Sequence, residues 1–147
     1  MWSNGKKKKK QNHTTMRVLV TGSRTWQHAG RVHKCLGSLK QKASQEPHVL
    51  IHGDCKRGVD AIAHAEAKRL GWYIIKCPAQ WKRNVPAGMG YNPRAGPERN
   101  ECMVRSFAPF VDVYLVCIRG NSKGSTNCLK HIYKYRTPQS CVWILRE

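Results

Sequence analysis

Val49-Leu50-Ile51-His52-Gly53-Asp54-Cys55-Lys56-Arg57-Gly58-Val59-Asp60 is the stretch on which the fold turns. A short apolar run with strand-forming residues enters a turn bounded by two glycines. From Val59 the apolar residues Ile62, Ala63, Ala67 and Leu70 follow at helical spacing, and Gly71 stands where a helix would end. A strand that passes through a glycine-bounded turn straight into a helix is the repeating unit of a parallel α/β sheet. Upstream the same unit recurs. Arg17-Val18-Leu19-Val20-Thr21 is a β-rich run ended by Gly22, and Val32, Leu36, Leu39 and Ala43 then mark one helical face. Downstream, Trp72 to Cys77 reads as a third strand stopped by Pro78, and Asp112 to Ile118 as a fourth. The fourth is apolar almost throughout, as a central strand covered on both faces would be. Pro97 fits the first turn of a helix carrying Met103, Val104 and Phe107. Gly120 to Thr126 leads into a helix with Leu129, Ile132 and Tyr133, and Cys141 to Leu145 is the fifth strand. The fold class is therefore α/β, a three-layer Rossmann-like arrangement with a mostly parallel sheet of about five strands and helices on both faces.

Composition sets the outer limits. The chain has 147 residues with 27 Lys+Arg against 8 Asp+Glu, a formal net charge of +19. A chain of this length buries roughly two-thirds of its unfolded surface, enough for one ordinary core. No apolar run approaches the roughly 20 residues of a membrane span, so no membrane association is expected. Gln11 to Thr15 follows the Lys6 to Lys10 run where a secretory signal would need apolar residues. The seven cysteines are scattered without a CxxC pair, which argues against a zinc site and for a reducing, cytoplasmic setting. Residues 1–16 hold five lysines and no acid, and are read as a disordered basic tail preceding a single domain over 17–147. The tail is either a solvated solubility or localisation element or a non-specific nucleic-acid contact. The domain keeps a surplus of 14 positive charges, which favours anionic partners such as nucleotides or nucleic acid.

In an open parallel sheet, ligands bind beyond the carboxyl ends of the strands, where the crossover direction reverses. Those ends carry Thr21-Gly22-Ser23-Arg24, Gly53 to Asp60, and Arg119-Gly120 through Thr126. Each loop combines glycine, a hydroxyl or acidic group, and a cation close to a helix start. Glycine admits a phosphate to the backbone N–H groups, and the helix terminus and the cation complete an anion site. Neither G-x-x-x-x-G-K-[ST] nor G-x-G-x-x-G is present, which disfavours a P-loop ATPase or a dinucleotide dehydrogenase. The connection over residues 78–96 is long for a compact domain, and such loops are more often functional than decorative.

Thr21-Gly22-Ser23-Arg24-Thr25-Trp26, His52 to Asp60, Pro78-Ala79-Gln80-Trp81, Ala95 to Met103 and Gly120 to Thr126 together resemble the SLOG superfamily. That Rossmann-like group includes the LOG phosphoribohydrolases and DprA, and the likeness is strongest to its YspA/cpYpsA-related branch. The resemblance covers about residues 17–145. It implies a pocket for a nucleotide or nucleotide derivative that is sensed or processed. Glu98-Arg99-Asn100 is similar to the LOG helix start, making Arg99 the match to a catalytic arginine with Glu98 beside it. The LOG glycine-rich loop is followed by a glutamate, whereas here Asn127 and Cys128 follow. Cleavage of an N-glycosidic bond passes through an oxocarbenium-like state that needs a nearby carboxylate, so Asp54, Asp60 or Glu98 would have to serve.

Several residues carry two readings. Arg24 is a phosphate ligand or a surface cation, and Asp54 a ribose ligand or a turn residue bonding its own backbone. Asp60 is a ligand-site group or an N-terminal residue stabilised by the helix dipole. Arg99 meets the ligand or forms a salt bridge to Glu98 or Asp112. Trp81 stacks on a base or anchors the long loop. His52 is read as packed at a strand end, His64 as solvated. The expected phosphate-binding set is Gly22, Ser23, Arg24, Gly53, Asp54, Gly58, Asp60, Arg99, Asn100, Gly120, Lys123, Gly124, Ser125 and Thr126, with neither cofactor nor metal. The expected function is binding of a nucleotide or phosphoribosyl ligand. The alternatives are LOG-like hydrolysis of an N-glycosidic bond and DprA-like binding of single-stranded nucleic acid; pairing into a homo-oligomer is carried over by analogy.

Overall fold

The computed structural model describes residues 15–43 and 45–147, so the basic tail, up to residue 14, lies outside the described residues. At the tail's end Met16 is already part of the fold. It is buried, its N–H donates to His48 Nδ1 at 2.9 Å, and its carbonyl accepts the Val49 N–H. Five strands follow: β1 (Arg17–Gly22), β2 (Val49–His52), β3 (Tyr73–Lys76), β4 (Val113–Ile118) and β5 (Cys141–Arg146). Between and after them lie α1 (Ala29–Lys42), α2 (Val59–Arg69), α3 (Ala95–Phe107) and α4 (Lys123–Tyr135). All strand pairs are parallel, in the order β3-β2-β1-β4-β5.

The side-chain alternation of the strands builds two separate cores. Val18, Val20, Leu50, Leu115 and Cys117 face α1 and α2, where Val32, Leu36 and Leu39 meet Val59, Ala63 and Ala67. Leu19, Ile51, Tyr114, Val116 and Ile118 face α3 and α4, against Met103, Val104, Cys128 and Ile132. Every residue of β4 is buried, as its unbroken apolar sequence requires of a strand with helices on both sides. Each fully buried aliphatic side chain contributes roughly 1.5–3 kcal/mol. The end of α2 forms as expected. Gly71 takes φ +80, and the Trp72 N–H reaches back to the Ala67 carbonyl, closing the helix.

The strand bounds differ from the sequence reading by a residue at most at either end, and the long connection, expected over 78–96, ends two residues early. α3 begins at Ala95, two residues before Pro97, which still lies in the first turn, where no N–H is needed. The cause is Asn92, buried in the long connection. Its Oδ1 accepts the Arg94 N–H, its Nδ2 donates to the Arg83 carbonyl, and its carbonyl accepts the Ala95 N–H. Asn92 thus folds the loop back on itself and starts the helix early. No described helix is long and apolar enough to cross a membrane.

Candidate functional site

The chain steps outward from β1 through β2 to β3, then returns past β1 to lay down β4 and β5. The connections at the carboxyl ends of β1 and β4 therefore leave in opposite directions, and a crevice opens between them. A cavity of about 420 Å³ occupies it. Its walls come from the ends of β1, β2 and β4, from the first turns of α2 and α4 and from one side of α3.

Ser23 closes the floor. Its N–H donates to the Cys117 carbonyl and its Oγ accepts the Arg119 N–H at 2.8 Å, while its own carbonyl accepts from Trp26 and Val59. The β2–α2 loop presses on the same point. Gly58 has φ +76, and a side chain there would strike Ser23 and the Arg24 backbone, so only glycine suits it. Arg119 is held from behind, with Nη1 on the Thr25 carbonyl and Nε 3.1 Å from Glu147. Glu147 also accepts the N–H groups of Gln27 and His28. Its burial works to raise its pKa, but the Gln27 N–H, the hydrogen bond and charge of the His28 ring, and the His28 N–H together outweigh it and hold the carboxyl below its usual range.

Arg99 enters from α3. Its Nη1 donates to the carbonyls of Gly53 and Cys77, and its Nε to Asn100 Oδ1. Glu98 reaches Arg94, and Asp112 reaches Arg17, so the guanidinium is oriented by two backbone carbonyls and the Asn100 side chain rather than by a salt bridge. Asn100 is buried and ties α3 to α4 through the Gly124 carbonyl and Asn127. The carboxylate on the cavity wall is Asp60, 5 % exposed, whose Oδ2 accepts the Cys55 N–H at 3.2 Å. Burial raises its pKa against the opposing hydrogen bonds and the charge of Arg99. Three arginines, at 24, 99 and 119, line the cavity together with that one buried acid, so its walls carry more positive than negative groups.

Of the residues expected at the site, Gly22, Ser23, Arg24, Gly53, Asp60, Arg99, Asn100, Gly124 and Ser125 line this cavity. The others stand elsewhere. Asp54, with φ 60, faces an adjoining cavity beside Lys56 and Trp81. Glu98 lines another cavity, with Cys77, Asn92 and Phe107. The hydroxyl of Thr126 is bound to the Ser122 carbonyl, and Ser122 caps α4 by accepting the Ser125 N–H. Gly120 turns the backbone with φ +59, and Lys123 is exposed on the first turn of α4. Thr21, Thr25, Cys55, Met103, Asn121 and Ser122 line the cavity without having been singled out by sequence. They lie in or beside the same loops and helix, and only the backbone path decides which of them point inward. His64 departs from its solvated reading, because its Nδ1 lies 2.9 Å from His52 Nε2.

The model of the YspA, cpYpsA-related SLOG family matches residues 16–84. The match holds the first three motifs, from Thr21 to Trp81, while the helix start at Arg99 and the loop at Gly120 to Thr126 lie beyond it. No curated protein and no solved structure matches the chain.

Proposed function

From a chain whose residues 16–84 match the model of the YspA, cpYpsA-related SLOG family, part of a nucleotide-related ligand-binding superfamily, we propose a binding protein for a nucleotide or phosphoribosyl derivative. The observation that carries this is the convergence of Arg24, Arg99 and Arg119 with three strand-end loops on one crevice at the point where the sheet's winding reverses. The phosphate sits at the start of α4, where free N–H groups and the helix dipole favour an anion. The sugar lies toward Asp60, and a reducing, cytoplasmic setting suits the unpaired thiols of Cys55 and Cys77 near the site.

Gly124 supplies a clean test. A side chain at this position meets nothing within 4 Å, so Gly124→Asp leaves the fold alone and sets a carboxylate on the anion site. Calorimetric titration against a panel of nucleotides is expected to show binding that Gly124→Asp and Arg99→Ala each weaken by at least about tenfold, the worth of one charge-assisted hydrogen bond. Absence of binding by any nucleotide overturns the reading.

A second reading, hydrolysis of the N-glycosidic bond, is favoured by one observation. Asp60 is the carboxyl that faces the cavity, and its raised pKa suits proton donation to a leaving base. In the same assay samples, free base released from a monophosphate and lost in Asp60→Asn would move the protein from binder to enzyme.

A further inference from the structure

Beyond the crevice lies a second cavity, of about 590 Å³, and the two share Arg24, Gly53, Cys55 and Arg99 as a common wall. The second is lined on its far side by Lys56, Arg57 and Trp81. Its charge is one-sided. Four cations face a single carboxylate, Asp54, which is already engaged by Lys56 at 3.3 Å. Among the described residues Arg24 and Arg57 are exposed and take part in no ion pair. The guanidinium of Arg24 instead lies 5.8 Å above the centre of the Trp81 ring.

The indole itself is braced. Its edge rests on Gly96, where a side chain would come within 3.2 Å of the ring, Tyr91 stands 6.2 Å away at a tilt, and the Trp81 carbonyl accepts the Asn92 N–H. A braced aromatic surface beside unpaired cations is the recognition chemistry of a flat ring joined to a phosphate.

Building on the nucleotide reading, we propose that the ligand spans both cavities: a nucleotide with a further phosphate beyond the first, held by Arg24 and Arg57, with its outer end against Trp81. Both volumes are in the range of ordinary small-molecule sites, and the wall they share carries the two arginines that a bridging group would meet. The further phosphate could belong to a pyrophosphate-linked dinucleotide or to a nucleotide phosphorylated at both ends, and the probes separate the two.

The full chain is titrated with adenosine 5′-monophosphate, with diadenosine pyrophosphate and with adenosine 3′,5′-bisphosphate. At least one two-phosphate probe is expected to bind about tenfold or more tightly than the monophosphate. That ratio is expected to fall toward one in Arg57→Ala and to recover in Arg57→Lys, which keeps the charge. Which probe gains identifies the source of the phosphate. Monophosphate binding with a ratio near one for both probes, unchanged by Arg57→Ala, overturns the two-cavity proposal and leaves the nucleotide reading standing. Failure of all three probes to bind overturns both.

Discussion

His52 shows how much one residue decides. Its ring is 1 % exposed; Nδ1 accepts the Asp54 N–H at 2.9 Å, and Nε2 lies 2.9 Å from His64 Nδ1. Because Nδ1 must accept, the neutral ring carries its proton on Nε2 and donates to His64. Any proton added to the pair breaks either the histidine–histidine bond or the hold on Asp54. Burial, then the neighbouring His64, and further Lys76 and Arg99 push the pKa of His52 down to about 4, with Asp54 opposing. The unfolded chain, with histidine near 6.5, takes up the proton first. The contribution of His52 is therefore whole above about pH 6.5 and is lost as pH falls toward 4, reaching on the order of 3 kcal/mol at the limit. Urea unfolding at pH 7, 5.5 and 4.5 is expected to show this loss in the native chain and a shallower one in His52→Gln. An equal slope in both would assign the acid lability to other groups.

Between elements, the site depends on ties that span the chain. Glu147, just past β5, fastens the β1–α1 loop at Gln27 and His28 to Arg119 after β4. Glu147→Ala is expected to speed amide hydrogen exchange at Gln27 and His28 while the β1 amides stay protected, and to weaken nucleotide binding through Arg119. Unchanged exchange would mean that the Trp26 N–H to Ser23 bond already holds the loop. Ties of this kind separate what was legible in the sequence from what was not. The strands and helices announced themselves because each is a local pattern: Val32, Leu36 and Leu39 show their helical period, and β4 its unbroken apolar run. The strand-end loops were legible for the same reason, since glycine and hydroxyl residues there have local work to do. Glu147, the His52–His64 pair and the tie from Asn92 back to Arg83 were not, because those partners lie 120, 12 and 9 residues away and polar spacing encodes no partner. Nor could sequence decide among Asp54, Asp60 and Glu98, whose different destinations depend on how each loop leaves the sheet.

Across the whole molecule the charge acts as a field rather than as a set of contacts. Residues 17–147 carry a surplus of 14 positive charges, and three of their arginines line the crevice, so on the nucleotide reading an anion would be drawn from beyond the reach of any one side chain and then held by only a few. The two stages respond differently to salt. At about 0.5 M salt the screening length is only a few ångströms, against more than 10 Å at about 0.05 M. The long-range attraction is thus removed, while hydrogen bonds inside the half-closed cavity are screened far less. Stopped-flow mixing with a fluorescent nucleotide is expected to show the association rate constant falling by about tenfold over that range, with the dissociation rate constant changing much less. A salt effect confined to a rise in the dissociation rate constant would place the electrostatic contribution in the bound contacts instead. Were both constants insensitive to salt, the positive surplus would lie too far from the crevice to guide anything into it.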